Sequence, residues 1–478
     1  MPRVILVADD LTGAADSGVT FARHGARVVV CWAKAAGIRG ADGLDAGGPD
    51  AGAPGTSAPD ADIVAYSTES RHCTEDEAVR RAAEIVEAFS SIIERFRDPI
   101  WIYKKIDSTL RGHPGPELAA VMAGLAGHRR AADGAGSARG ERRSAGVPRS
   151  QGEAFSRALV APALPAQGRV TRGGVHYVRD VPLAETVFGS EVQTSDVGAL
   201  IAPAFPEGTV KHLSLATLRQ GVDAAASLLT VPLSQSSCVV VADAETEADL
   251  AALVEAALAT GTRLLCGSAG LAEALAERLA DMGVWPPQTA PQQPAGAQAA
   301  VPQVQHSGKG VLVVAGSRNP QTLRQIEALA ADGVPVVRPA VAWFEDTAMG
   351  PDDVVAELAA ALNGGAAVLT TAGLPSLPVP GMQLVSRLAE AVAALLEVRG
   401  LAGLVLTGGD AAIAVGRALG ATALRLRGEV ERGVPWGYLV GGGWEGLPVV
   451  TKAGGFGNAD TLVSAVRFLS AADKGQAI

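Results

Sequence analysis

The charged and hydroxyl-bearing residues of this chain gather in a few short runs. The densest is Lys104-Lys105-Ile106-Asp107-Ser108-Thr109-Leu110-Arg111-Gly112. An arginine offers a bidentate fork to a carboxylate or phosphate, and a lysine offers a compact charge. The run could therefore hold an anion beside a carboxylate able to accept a proton. The period of two along a strand puts Lys105 and Asp107 on one face, with Arg111 just beyond the turn. A ladder of surface ion pairs is the competing explanation. It sits poorly with the apolar start WIYKKI in a chain only 19% charged, given the cost of burying such groups.

A second run, Asp9-Asp10-Leu11-Thr12-Gly13-Ala14 with Asp16 behind it, follows the apolar stretch VILVA. Alternation along a strand lets one of Asp9 and Asp10 face a crevice. Thr12 could cap the helix that follows, and capping would also account for one aspartate. Two aspartates and a glycine exceed what a cap needs. Ser67, Glu69, Ser70 and Arg71 come after DIVAY in the same manner, so Arg71 is a further anion clamp or a plain surface arginine. Arg169, at the end of the turn PALPAQGR, adds another cation, although turn chemistry alone explains its prolines and glycine.

Glycine-rich junctions suggest a different chemistry. Cys266-Gly267-Ser268-Ala269-Gly270, Gly316-Ser317, Gly408-Gly409-Asp410 and Gly454-Gly455-Phe456-Gly457 each follow an apolar run. At such junctions backbone N–H groups can reach phosphate oxygens at the positive end of a helix. One alone would be packing; their recurrence points to a nucleotide pocket. No GxxxxGK[ST] is present, which argues against a P-loop. Gly441-Gly442-Gly443-Trp444-Glu445-Gly446 matches GxGxxG but leads into LPVVT, a strand pattern, so the dinucleotide context fails. Ser268 lacks the first glycine of the GxSxG elbow.

The elements that must position these residues are short β-branched runs alternating with helical patterns. RVILVAD, DIVAY, WIYKKI, ALVAPA, CVVVAD and RLLCG form one series, and GVLVVAG, PVVRPA, AAVLTTAG, LAGLVLTGG and LPVVTKAGG form another. Strands alternating with helices predict an α/β fold with mainly parallel sheets covered by helices. Ligands then bind beyond the carboxyl ends of the strands, where the chemistry-bearing runs lie. A chain of 478 residues exceeds one ordinary core, so two domains are expected. The boundary is placed at the Pro/Gln/Ala-rich linker 284–307, giving an N-terminal domain 1–283 with insertions at 33–60 and 129–153, and a C-terminal domain 308–478.

The formal charge of −10 and the absence of long basic runs disfavour nucleic-acid binding. No stretch approaches a membrane span, the opening MPRVILVADD is too short in apolar residues for a secretory leader, and the four scattered cysteines suggest neither a disulfide scaffold nor a zinc site. A cytoplasmic setting is expected.

At these motifs the sequence resembles the four-carbon acid sugar kinase family. The matching stretches are VADDLTGAADSGVTFA, Ser70-Arg71, KKIDSTLRGHPGPE, CGSAGLAEALA, AGSRNPQTLRQI, LTGGDAA, GEVERGVP and TKAGGFG, in order along nearly the whole chain. The resemblance implies an N-terminal sugar-acid domain and a C-terminal nucleotide domain with the active site in the cleft between them. It further implies phosphate transfer from ATP, with Mg²⁺, to the 4-hydroxyl of threonate, erythronate or an oxo-tetronate. DDLTGAxDxGVxFA looks closer to the threonate branch. Carried over by position, Asp9, Thr12, Arg71 and Arg111 are substrate-binding, and Asp10, Lys105 and Asp107 catalytic. Ser268, Gly408, Gly409, Asp410, Ala411 and Gly454 are nucleotide-binding, and metal ligands stay unassigned. Either Asp10 or Asp107 would take the hydroxyl proton. The segment PLAETVFGS (Pro182 to Ser190) departs from the family pattern. The expected partner is a small sugar acid, with a homodimer allowed and neither nucleic acid nor membrane expected. The rival readings are an NAD(P)-dependent hydroxy-acid dehydrogenase and a non-catalytic sensor of sugar acids or nucleotides.

Overall fold

A computed structural model describes residues 2–32, 61–95, 100–134, 155–206, 208–230, 237–285, 308–374 and 379–472. The chain forms two compact units, one of Met1–Ala26 with Ala33–Pro287 and one of Arg27–Trp32 with Gln288–Ile478. The insertion 33–60, residues 135–153 of the second insertion and residues 286–307 of the linker lie outside the described residues. Residues 129–134, expected from composition to be loop, instead continue the helix Pro114–Gly134. Their arginines and alanines are good helix formers, which outweighs the low-complexity look of the stretch.

In the first unit, parallel strands run in the order Ile63–Ser67, Val4–Ala8, Trp101–Lys105, Leu264–Gly267, Arg157–Ala161, Cys238–Ala242 and Thr209–Leu213. Both faces of the central strands are covered, so Val4 to Ala8 and Trp101 to Lys105 are buried at every position. Full burial of a Val or Leu side chain contributes roughly 1.5–3 kcal/mol, and these aliphatic runs supply most of the core. The register aligns Ala8 with Ser67 and Lys105, and Lys105 with Gly267. Four strands thus end level with one another. From Val4–Ala8 the chain passes to one side for Ile63–Ser67 and to the other for Trp101–Lys105, so strand order reverses there, the place where α/β sheets open a crevice. A small antiparallel sheet, Arg169–Arg172, Val175–Val178 and Val181–Pro182, belongs to the same unit.

In the second unit Val336–Val337, Ala366–Thr370, Val311–Ala315, Gly403–Thr407 and Pro448–Lys452 are parallel. Val434–Val440, Ala423–Glu431 and Val28–Cys31 extend this sheet antiparallel. The last of these strands comes from the N-terminal part of the chain. Ala315 aligns with Thr370 and Thr407, and Thr407 with Lys452. Order reverses at Val311–Ala315, which places the crevice beside Gly316-Ser317 and Gly408-Gly409. The hydrophobic core beneath includes Val313, Ile326, Val368, Val405, Val450 and Leu462.

Candidate functional site

In the first unit the strand Val4–Ala8 stops before either aspartate, so alternation does not separate Asp9 from Asp10, and Arg71 gathers both. Its Nε and Nη2 donate to Asp9 Oδ2 and Oδ1 at 2.8 and 3.0 Å, and its Nη1 donates to Asp10 Oδ2 at 2.7 Å. Asp10 is the N-cap of the helix Leu11–Arg23 and accepts from the Gly13 amide at 2.7 Å. Thr12 does not cap. It sits inside the first turn and its hydroxyl donates to Asp10 Oδ2 at 2.6 Å, because the acceptor for the third helical amide must stand three residues before it.

The loop carrying Arg71 is stitched to the first strand. The amides of Ser70 and Arg71 both reach the Asp9 carbonyl, at 2.9 and 3.3 Å. Beneath it lies a fully buried pair: Lys104 Nζ is 3.2 Å from Glu117 Oε2, and Glu117 Oε1 also accepts from the Ser70 hydroxyl. Lys104 and Lys105 are 0% and 4% exposed, which removes the surface-ladder explanation. Lys105 Nζ donates to the Ile106 carbonyl at 3.0 Å and lies 3.0 Å from where a Cβ on Gly13 would stand. The same Cβ would stand 2.6 Å from Asp10 Oδ1, so a side chain at position 13 would crowd the capping carboxylate first.

After the Trp101–Lys105 strand the chain turns through Asp107 to Arg111. Asp107 Oδ2 accepts from Arg111 Nε at 2.6 Å and from the Thr109 hydroxyl. Glu69 and Leu110, in the two loops that carry Arg71 and Arg111, have φ of 52° and 58°. Backbone strain of this kind in non-glycine residues is typical of functional loops. Burial would raise the carboxyl of Asp107, but Arg71, Arg111 and the Thr109 hydroxyl outweigh it and hold it well below the usual carboxylate range. Asp9 is lowered likewise, burial being overcome by Arg71, Lys104 and Lys105. Both are anions at neutral pH.

Two further side chains reach this cluster from the small antiparallel sheet. Arg169 Nη1 donates to Ser108 Oγ at 2.6 Å and to Gln167 Oε1 at 2.8 Å. His176, fully buried, bonds through Nε2 to the Ser108 carbonyl at 2.9 Å and through Nδ1 to the Thr171 hydroxyl at 3.0 Å. Burial pushes its imidazole down to about 4, so the neutral ring donates to Ser108 and accepts from Thr171. The divergent segment Pro182 to Ser190 forms two short 3₁₀ turns and sets Phe188 under the Arg111 guanidinium, 5.6 Å from the ring centre. Glu117 closes the quoted stretch KKIDSTLRGHPGPE without a role, and His176 carried no signal, since it is distant in the chain from the Ser108 carbonyl that it holds.

Ser268 also lies in the first unit. Its side chain is 0% exposed, donates to the Ala163 carbonyl at 2.8 Å and caps the helix Ala269–Asp281 by accepting from Gly270. The other residues assigned to nucleotide belong to the second unit.

Those others converge in the second unit. Gly408, at φ 100°, is the N-cap of the helix Gly409–Ala418, and its amide donates to the Lys452 carbonyl at 2.9 Å. A Cβ on Gly454 would come within 2.2 Å of Ser317 Oγ, and one on Gly408 would approach Ser317 at 3.6 Å. Three strand ends therefore meet around Ser317. Gly409 opens the helix, Asp410 is exposed in its first turn, and Ala411 is buried, so the helix start offers backbone amides and the Asp410 carboxylate. Lys452, 1% exposed, donates to the carbonyls of Ala453, Gly454 and Phe456 at 2.8, 3.1 and 3.2 Å, and burial pushes its ammonium down to about 8. It was quoted in TKAGGFG without a role; a lysine at a strand end before paired glycines was the available signal. Gly441 to Gly446 leads into the strand Pro448–Lys452, not into a helix.

Two domain descriptions match the chain, a sugar-binding N-terminal domain over residues 4–275 and a nucleotide-binding C-terminal domain over residues 312–462. A D-threonate kinase of Bordetella bronchiseptica is 34% identical, with 98% of this chain and 97% of that protein covered. A D-threonate kinase of Salmonella typhimurium is 31% identical, with 98% of each covered. A Haemophilus influenzae protein of the DUF1537 family shares the fold, with a TM-score of 0.67 at 20% identity over 97% of this chain and 100% of that one. No helix among the described residues is long and apolar enough to cross a membrane.

Proposed function

Because the chain belongs to the four-carbon acid sugar kinase family, DUF1537, we propose that it transfers the terminal phosphoryl group of ATP to the 4-hydroxyl of a four-carbon sugar acid, D-threonate or D-erythronate before the oxo-tetronates. The observation that carries this is the grouping of Arg71 and Arg111 beside Asp107 and of Lys105 beside Asp9, with Asp107 Oδ1 accepting no hydrogen bond among the described residues. Asp9 has both oxygens on Arg71, and Asp10 is spent on Gly13, Thr12 and Arg71. That leaves Asp107 as the carboxylate able to take the substrate's proton. The cations offset the charge of the acid and of the transferring phosphoryl group, the main demand of this chemistry.

The nucleotide would rest on the amides of Gly408 to Ala411 and against Gly454, where bare backbone permits close approach. No group of three His, Cys, Asp or Glu among the described residues could cage an ion. Magnesium usually relies on phosphates with one or two carboxylates, and Asp410, exposed at the helix start, suits that donor set. When bound, the ion supplies charge neutralisation on the phosphates. Gly408, Gly409 and Lys452 keep the loop in shape for it.

The test is ADP release with Mg-ATP and D-threonate, D-erythronate or their 3-oxo forms, with the product checked for a 4-phosphate by ³¹P NMR. Release above background with one of them and a phosphomonoester at carbon 4 is expected. No release with any of the four would sink the reading.

A further inference from the structure

Most cations of the first unit's site are already neutralised. Arg71 spends three nitrogens on Asp9 and Asp10, Arg111 is paired with Asp107, and Lys104 with Glu117. Lys105 and Arg169 make no ion pair among the described residues. The two differ in what they can offer. Lys105 is a compact ammonium at the start of the helix Leu11–Arg23, with one hydrogen given to the Ile106 carbonyl. Arg169 is a planar fork fixed at one corner. Its Nη1 is held by Ser108 and Gln167, its Nη2 has no partner among the described residues, and its Nε is buried without an acceptor.

We propose that Arg169 receives the carboxylate of the sugar acid, leaving Lys105 for the transferring phosphoryl group; this rests on the kinase reading above. A half-buried guanidinium without an ion-pair partner carries a desolvation cost that an arriving carboxylate relieves, so the position favours an acid over a neutral polyol. Burial pushes Arg169 below its ordinary range, with Asp107 only partly offsetting it, which agrees with a cation awaiting an anion. Its placement is deliberate. Ser108, which anchors Nη1, is itself held by His176 through its carbonyl, and Gly168, at φ 67°, turns the chain directly before it. The fork is thus tied to the Asp107 loop, and the acid end of the substrate is set at a fixed reach from the proton acceptor.

The experiment compares wild type with Arg169→Met and Arg169→Lys on D-threonate and on D-threitol, which keeps the hydroxyls and lacks the carboxylate. Calorimetry of D-threonate binding without nucleotide runs alongside, with D-erythronate as the second acid and erythritol as its neutral counterpart. Arg169→Met is expected to weaken the acid by roughly 30- to 1000-fold in KM and Kd, to leave the polyol's kcat/KM within about twofold, and to leave nucleotide affinity unchanged. Arg169→Lys should recover part of the loss, since it restores charge without the fork. An equal loss on acid and polyol, or no loss on the acid, overturns the assignment. If the methionine variant does not fold, the lysine variant decides by the same acid-to-polyol ratio. Wild type that binds a tetronate yet releases no ADP sinks the kinase reading alone, and calorimetry on the variants still judges Arg169. Wild type that binds neither acid overturns this proposal.

Discussion

Arg111 holds only one oxygen of Asp107. Its Nε donates to Oδ2 at 2.6 Å, the Thr109 hydroxyl joins the same oxygen, and Oδ1 is left without a partner among the described residues. A carboxylate anchored on one side and open on the other is aimed, and the open oxygen is the one that can take a proton. Asp107→Asn keeps the shape and removes the basicity. It should lower kcat by roughly 10²- to 10⁴-fold, the usual worth of a positioned base, while the thermal shift given by Mg-ATP stays as in wild type. Turnover within tenfold of wild type in this variant would take Asp107 out of the role.

Gly454 faces Ser317 too closely to carry a side chain, since an added Cβ would stand 2.2 Å from Oγ and 3.0 Å from Cβ of the serine. Gly454→Ala must push the Ala453–Phe456 loop off the carbonyl contacts with Lys452. Nucleotide affinity measured by calorimetry should fall by at least tenfold, with sugar-acid binding unaffected. Ser317→Gly placed in the same chain opens the space and should restore part of the affinity. If Gly454→Ala binds nucleotide as wild type does, the loop is not a phosphate contact.

Much of this site could be read from the chain because its residues are grouped by the strands that carry them. Asp9-Asp10, Ser70-Arg71 and Lys105 to Arg111 each follow a strand, and the parallel register brings those strand ends level. What could not be read was pairing at a distance. Alternation puts Lys104 and Lys105 on opposite faces but says nothing of what each meets: Lys104 is sealed on Glu117, and Lys105 donates to the Ile106 carbonyl beside Gly13. The pairing of Val28–Cys31 with Ala423–Leu426 links segments far apart in sequence, and no periodicity within either stretch could announce it. Thr12 misled for a simpler reason: aspartate and threonine are both good caps, and only the first helical residue, here Leu11, decides between them.

His176 should leave a mark on acid stability. Its folded value, about 4, lies below the 6.5 of the free side chain because the ring is buried between Ser108 and Thr171. Above pH 6.5 both folded and unfolded chains carry it neutral, and its full contribution is present. As pH falls through 6.5 the unfolded chain gains a proton that the folded chain refuses, so stability is lost until about pH 4, where the folded ring protonates as well. The loss over that window is roughly 3 kcal/mol at most, at 1.36 kcal/mol per unit. Urea midpoints at pH 7.5, 6.0 and 5.0 should fall more steeply for wild type than for His176→Asn, whose amide cannot take up the proton. Parallel slopes in the two proteins would show that the imidazole is not held neutral.

The Lys104 and Glu117 pair gives the sharpest separation of architecture from chemistry. Both side chains are sealed, at 0% and 1% exposure, and Glu117 also accepts from the hydroxyls of Ser70 and Thr68 in the loop that ends at Arg71. Glu117→Leu leaves an ammonium buried without its counter-charge and takes the carboxylate acceptor from the Ser70 hydroxyl, while Thr68 keeps the Ala8 carbonyl at 2.9 Å; this should cost about 3–5 kcal/mol in urea unfolding. Adding Lys104→Met removes the stranded charge, and the double variant should regain most of that loss, because an apolar pair of similar volume needs no desolvation. Activity should not follow. With Glu117 gone the Ser70 hydroxyl no longer ties the loop down, so the double variant, although stable, should keep a raised KM for the sugar acid and an unchanged affinity for nucleotide. A double variant that recovers stability and KM together would mean that Asp9 alone fixes Arg71; one that recovers neither would mean that the cost lies in packing and not in charge.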